Sequence, residues 1–148
     1  MSHTKFLRLA LAQAGIAARR NEVPVGAVVV KGGKVIARGR NEIVARKDPT
    51  AHAEILAMQR AGKNLKNERL NGCTLYATLE PCAMCAGALV HARVARLVFG
   101  CRDLRFGGVR SKFRLADSEV MNHRVDVVEG VLAAECTEML EAFFRARR

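Results

Sequence analysis

Two short segments restrict this chain more than any other feature: Asp48-Pro49-Thr50-Ala51-His52-Ala53-Glu54 and Glu80-Pro81-Cys82-Ala83-Met84-Cys85. His52, Cys82 and Cys85 are soft nitrogen and sulfur donors, suited to a tetrahedral zinc ion and poorly suited to magnesium or calcium, which prefer oxygen. For all three to grip one ion, the fold must bring both segments to a single point. Three protein ligands leave one coordination position open, which a catalytic zinc keeps for water. Glu54, two residues past the histidine, is a poor fourth ligand and is better placed to move protons.

Pro81 suits the first position of a helix, which would set Cys82 and Cys85 one turn apart on the same face. Asp48-Pro49-Thr50 reads as the capped start of the helix that carries His52 and Glu54. Each segment thus offers a helix N-terminus, whose partial positive charge favours thiolates. A Cys-x-x-Cys alone fits a redox pair or a structural zinc equally well. His-x-Glu followed by Pro-Cys-x-x-Cys is the recorded signature of zinc nucleobase deaminases, so this is a match to a known pattern and not a deduction. The plain alternative, buried cysteines plus a core histidine, leaves the spacing unexplained.

Of 148 residues, 50% are hydrophobic and 26% charged, as expected for a folded domain spanning residues 1–148. Lysine and arginine number 25 against 14 acids, a formal charge of +11. Eighteen of the bases are arginine, the residue adapted to planar, bidentate phosphate recognition. The surplus points to a polyanionic partner, most simply nucleic acid, with solubility as the plain alternative. Of five cysteines, Cys73, Cys101 and Cys136 sit among apolar neighbours and read as reduced core residues, which fits a cytoplasmic protein. No apolar run approaches the roughly 20 residues that cross a bilayer. Residues 1–21 hold Lys5, Arg8, Arg19 and Arg20 but no acid, as a transit peptide would, yet they run into the fold without a cleavage-like break and read as a structural helix.

That helix spans about residues 5–20, with Phe6, Leu9, Ala10, Gln13, Ala14 and Ala17 on one face. Glu22-Val23-Pro24-Val25-Gly26-Ala27-Val28-Val29-Val30 leads into a strand whose continuous valines imply burial on both faces. Lys31-Gly32-Gly33-Lys34 is a tight turn, and residues 35–41 return as the partner strand. The helix of the first segment continues through Leu56 and Met58 and ends near Ala61-Gly62. Residues 73–79 form a strand that delivers Glu80 and Pro81 at its C-terminal end, where open α/β sheets place their sites. A helix to about His91, a short strand over 96–100, further alternation of strand and helix, a strand over 124–129 and a helix over 132–145 complete the chain. The expected architecture is a three-layer α/β/α sandwich around a mixed sheet of about five strands. Residues 101–120, crowded with Arg102, Arg105, Arg110, Lys112 and Arg114, read either as a mobile loop wrapping a phosphate backbone or as a solvated surface loop.

Glu22-Val23-Pro24-Val25-Gly26-Ala27, Asn41, residues 48–54 and 78–85, Met121-Asn122-His123-Arg124 and Phe143-Phe144-Arg145 together resemble the bacterial tRNA-specific adenosine deaminases of the cytidine/deoxycytidylate deaminase superfamily. These convert the wobble adenosine of an anticodon to inosine. The likeness covers nearly the whole chain and thins over residues 104–120, where Val109 and Arg110 are bulkier than the small residues usual in the family. The resemblance implies a cytidine-deaminase-like fold and one zinc per subunit, held by His52, Cys82 and Cys85 with Glu54 catalytic. It also implies a tRNA anticodon stem-loop as substrate and a homodimer whose interface helps build the RNA site. By the same matching, Asn41, Ala53 and His123 line the nucleotide pocket, Asp103 and Asn122 lie near flanking nucleotides, and Phe143, Arg147 and Arg148 form an RNA-touching tail. Phe143 as core and Asn122 as a turn cap are the plain alternatives, and His91 is left structural. Two other readings compete. A deaminase of a free base or nucleotide (guanine, cytosine or deoxycytidylate type) could use the same zinc site, although the arginine surplus and residues 121–124 disfavour it. A non-catalytic RNA-binding module with structural zinc is disfavoured by Glu54, since a closed site needs a fourth ligand and no proton shuttle.

Overall fold

A strand buried on both faces needs a covering layer on each side. The computed structural model, which describes residues 2–148, supplies both. In chain order the elements are α1 (His3–Arg19), β1 (Gly26–Lys31), β2 (Lys34–Arg40), α2 (Ile43–Arg46), α3 (Ala53–Leu65), β3 (Cys73–Leu79), α4 (Ala83–His91), β4 (Arg96–Cys101), β5 (Asp126–Glu129) and α5 (Ala133–Arg145). Among the described residues the strands form one five-stranded mixed sheet in the order β2-β1-β3-β4-β5. Successive side chains of β1 point to opposite faces. Val28 and Val30 pack with Phe6, Leu7 and Ala10 of α1 and with Cys136 of α5. Ala27 and Val29 pack with α3 and α4 through Ala53, Ala57, Ala86 and Leu89.

Strand β1 runs antiparallel to β2 and β3, while β3, β4 and β5 run parallel. One end of the sheet therefore gathers the start of β1 and the ends of β2, β3, β4 and β5. The register pairs Gly26 with Arg40, Ala27 with Ala77 and Leu79 with Cys101 at that end. All five cysteines are free, with Cys73, Cys101 and Cys136 buried as the sequence predicts. No helix among the described residues is long and apolar enough to cross a membrane.

Several boundaries differ from expectation, each for a physical reason. Asp48 does not start the helix; its Oδ1 accepts from the Thr50 N–H at 2.8 Å and the Thr50 hydroxyl at 2.7 Å, closing a turn ahead of it. Helix α3 instead begins at Ala53 with His52 as the residue before its first turn. Gly62 does not end α3, which runs on until Lys66 adopts a left-handed conformation at φ 54°. Pro81 stays outside α4, whose N-cap is Cys82. The short helix α2 was not anticipated, because its Val44 and Ala45 amides are capped from afar by the buried carboxylate of Glu22, at 3.1 and 2.8 Å. The expected further alternation of strand and helix fails between β4 and β5, where residues 102–125 form turns and no helix.

At Gly26 the backbone of α1 lies directly against the strand, and a Cβ there would collide with the Ala10 carbonyl and the Ala14 amide. Gly39 meets Ala53 and Ala57 of α3 in the same way. Gly26→Ala is expected to cost about 1–3 kcal/mol through overpacking. Urea unfolding of the variant measures it, and wild-type stability would mean that α1 is free to shift outward.

Candidate active site

The shared end of the sheet is where the two metal-ligand segments meet. His52 precedes α3, Cys82 precedes α4, Cys85 lies in the first turn of α4 and Glu54 in the first turn of α3. His52 Nδ1 stands 3.6 Å from the Sγ of Cys82 and 3.6 Å from the Sγ of Cys85. The three ligand atoms all lie within 4.8 Å of one another. Zinc–nitrogen and zinc–sulfur bonds of about 2.0 and 2.3 Å at tetrahedral angles place nitrogen and sulfur about 3.5 Å apart. The cluster thus fits a tetrahedral ion without rearrangement. Cys85 is buried while His52 and Cys82 are half-buried, so the cluster has an accessible side.

Burial pushes the Glu54 carboxyl, 3% exposed, up to about 7. The hydrogen bond from Cys85 and the neighbouring imidazole hold the Cys82 thiol down to about 4, burial notwithstanding. The contact with Cys82 raises the His52 imidazole in turn. Cys85 is pushed up by its bond to Cys82 and by burial. One sulfur is therefore ready as a thiolate, and the other would give up its proton to a bound cation, so that metal binding here would be sensitive to acid.

Three buried polar side chains support these segments. Asn41 accepts from the Ala53 amide at 2.9 Å through Oδ1 and donates Nδ2–H to the Val23 carbonyl at 3.1 Å. It caps α3 in place of a local residue. Glu22 caps α2 as described above. Glu80, 2% exposed, accepts from the amides of Asp103 (3.0 Å), Val109 (3.1 Å), Arg110 (2.7 Å) and Ser111 (2.9 Å) and from the Ser111 hydroxyl. Burial alone would raise the Glu80 carboxyl, but the Ser111 hydroxyl and the loop amides outweigh it and hold it below the ordinary range. Sequence reasoning passed over both glutamates. The available signal for Glu80 was an acid set between an apolar strand and the first sulfur ligand.

The other anticipated site residues are placed unevenly. Ala53 is fully buried and belongs to the cap of α3. Asp103 follows β4 at the site end, where its Oδ1 accepts from the Arg105 and Phe106 amides at 3.1 Å each. Asn122 and His123 lie at the opposite end of the sheet. The Asn122 carbonyl accepts from Arg93 at 3.0 Å, and His123 Nε2 donates to the Val94 carbonyl, just before β4, at 2.7 Å. Within one chain, then, His123 is not brought to the cluster. Phe143 is 8% exposed, with the Arg147 guanidinium 3.4 Å above its ring. Arg147 also donates to Asn21 Oδ1 at 2.9 Å, tying the end of α5 to the segment before Glu22, while Arg148 is exposed. Within residues 102–117, Arg110 pairs with Asp117 at 3.0 Å, and Arg102 pairs with Glu129 at 2.8 Å.

The fold and the cluster together define the class: a deaminase with a cytidine-deaminase-like sandwich and a His/Cys/Cys cluster that fits a metal ion. The MafB19-like deaminase family matches residues 1–148. A tRNA-specific adenosine deaminase of Haemophilus influenzae is 48% identical over 145 residues, covering 97% of this chain and 84% of that protein. That of Aquifex aeolicus is 44% identical, covering 100% and 97%. A solved structure from work on A-to-I editing by deaminases acting at the wobble position of transfer RNA superposes with a TM-score of 0.89 at 45% identity, covering 93% of this chain and 99% of that one. The chain belongs to the tRNA-specific adenosine deaminase family.

Asn41→Ala would leave the buried Ala53 amide without its partner at the base of α3, while the Val23 carbonyl keeps the Val25 amide. It is expected to cost about 1–3 kcal/mol, the penalty for orphaned buried polar groups. Urea unfolding checks the stability, and faster loss of metal to a chelator would show that His52 is held less firmly.

Proposed function

We propose that this protein hydrolytically deaminates the wobble adenosine of a tRNA anticodon stem-loop to inosine, releasing ammonia. The observation that carries this reading is a buried carboxyl, Glu54, beside an accessible three-ligand cluster of His52, Cys82 and Cys85. The +11 charge, dominated by arginine, suits a polyanionic substrate over a free base.

His52 Nδ1 and the two sulfurs would hold one zinc ion, which lowers the pKa of a bound water from about 15.7 to about 7 and so supplies a nucleophile at neutral pH. The rest falls to Glu54. Its carboxylate takes the proton of the attacking water and delivers it to N1 of the adenine, which makes C6 electrophilic. It then takes the remaining proton from the new C6 hydroxyl and passes it to the departing amino group as the C–N bond breaks, so that one water enters and one ammonia leaves. Burial raises this carboxyl above the ordinary carboxylate range, which suits a group that must both accept and return protons. The target base must leave its stack to reach Glu54, which an unpaired loop nucleotide does at less cost than a duplex one.

The test is sequencing of an anticodon stem-loop before and after incubation with zinc-loaded protein, with free guanine, cytosine and deoxycytidylate in parallel. Inosine at the wobble position with no ammonia from the free compounds is expected. Ammonia from a free base alone would replace this reading with the alternative. Glu54→Ala should retain zinc and stem-loop binding and lose turnover by at least ~10²–10⁴-fold, the usual worth of general acid–base assistance. Near-normal turnover in that variant would remove Glu54 from the mechanism.

We further propose that residues 1–148 act as one catalytic domain in the cytoplasm and that two copies associate. A groove of about 830 Å³ runs between α3 and α4, with Ile55, Met58, Leu70 and Ala88 at its apolar centre and Lys63 and His91 at its rim. Two such faces meeting about a two-fold axis would bury that surface. Sedimentation should give a mass near twice 16.2 kDa, and Ala88→Arg should yield the single-chain mass. A wild-type protein sedimenting as one chain at micromolar concentration would refute the pairing.

A further inference from the structure

Glu80, like Glu22, is a buried acid to which the proposed chemistry assigns no task. A buried carboxylate is costly unless it is hydrogen-bonded, and all of its hydrogen bonds go to one loop: the amides of Asp103, Val109, Arg110 and Ser111 and the Ser111 hydroxyl. The same loop is joined to the metal-ligand segment a second time. Gly107 pairs with Cys82 in an isolated antiparallel bridge, and the Gly108 amide donates to the Pro81 carbonyl at 2.8 Å. Neither glycine has room for a side chain. A Cβ on Gly107 would enter the Glu80 carboxylate, and one on Gly108 would lie 2.7 Å from the Ala83 backbone. Residues 81–83 and 103–111 therefore form a single body that contains the first sulfur ligand.

The outer edge of that body is chemically distinctive. Asp103 closes a turn over Arg105 and Phe106, and the turn leaves Leu104 73% and Phe106 63% exposed. The Arg105 guanidinium lies 5.6 Å over the Phe106 ring. Exposed aromatic and apolar groups interleaved with arginine make a surface on which unpaired bases stack.

We propose that Glu80 is a positioning residue for the substrate strand. It holds residues 103–111 as a fixed rim beside the sulfur ligands, so that Leu104, Arg105 and Phe106 meet the nucleotides next to the reacting one in a preset geometry. A rim ordered in advance avoids the cost of ordering it on binding. The inference rests on the RNA-deaminase reading given above.

Glu80→Gln keeps the volume but turns an NH₂ group toward backbone donors. Three measurements on zinc-loaded protein decide the matter: zinc content, amide hydrogen exchange, and steady-state kinetics on the anticodon stem-loop. Zinc should stay stoichiometric, and the amides of Asp103, Val109, Arg110 and Ser111 should exchange at least about tenfold faster while those of β1 and β3 are unchanged. KM should rise about tenfold with kcat within about threefold of wild type, the pattern of lost binding energy without lost chemistry. Phe106→Ala should raise KM with exchange unaltered. A freed loop with unchanged KM overturns the proposal, and so does loss of zinc or a fall in kcat alone, which would make Glu80 a support for the metal ligands. Should Glu80→Gln fail to fold, Ser111→Ala, which removes one donor and keeps the carboxylate, carries the same expectation at smaller size, and an unchanged KM there is equally fatal. Wild-type protein that makes no inosine refutes the functional reading itself, and that arm separates the two failures.

Discussion

Two helix N-termini aimed at one point set the terms for everything else in this molecule. Helices α3 and α4 begin at Ala53 and Ala83, and neither His52 nor Cys82 caps its helix with its own side chain. The first amides of a helix lack intrahelical partners and carry partial positive charge. Two such ends together favour anions, and the groups gathered there are two sulfurs and a carboxyl. Cys82 is held low enough to be a thiolate before any cation arrives. Burial opposes the same trend at Glu54 and raises it above the ordinary carboxylate range, which suits a group that both takes and gives a proton. One region thus holds a ready ligand and a poised acid, because the hydrogen bond from Cys85 outweighs burial at Cys82 while burial dominates at Glu54.

Such an arrangement needs walls that do not sag, and here the walls are tied by buried polar side chains. Glu22 holds α2, Asn41 holds the start of α3, and Glu80 holds residues 103–111. Each acceptor is satisfied by backbone amides distant in sequence, which turns the cost of burying it into a constraint on loop position. In a chain with 14 acids against 25 bases, placing Glu22 and Glu80 inside leaves the outer surface more basic than composition alone conveys. Arg110 and Arg102 are among the arginines whose charge is offset by a paired acid, Asp117 and Glu129.

This division explains what could be read from the chain. The gathering of His52, Cys82 and Cys85 was legible because its two spacings are local, and β1 with β2 because a run of valines and a Gly-Gly turn are local too. The sheet and its two helical layers followed from the run of valines. What escaped reading was settled from far away. Asp48 looks like a helix cap, yet α3 starts five residues later because Asn41 supplies the cap across the fold. Gly62 looks like a stop, yet the helix continues and Lys66 takes the left-handed position. Residues 102–125 have no periodicity because four of their amides answer to Glu80 while others close irregular turns onto carbonyls of the same segment.

The position of residues 121–124 follows the same logic one level higher. Helix α4 carries Cys85 near its start and ends at His91, next to Arg93 and Val94, the residues that hold Asn122 and His123. Nine helical residues span about 13 Å, so a single chain does not offer both its sulfurs and its His123 to one nucleotide. In the proposed dimer the α3–α4 groove becomes the interface, and it abuts the same end of α4 through His91 and Ala92. An RNA-contacting role for Asn122 and His123 would then be a property of the pair, invisible in the contacts of either chain alone.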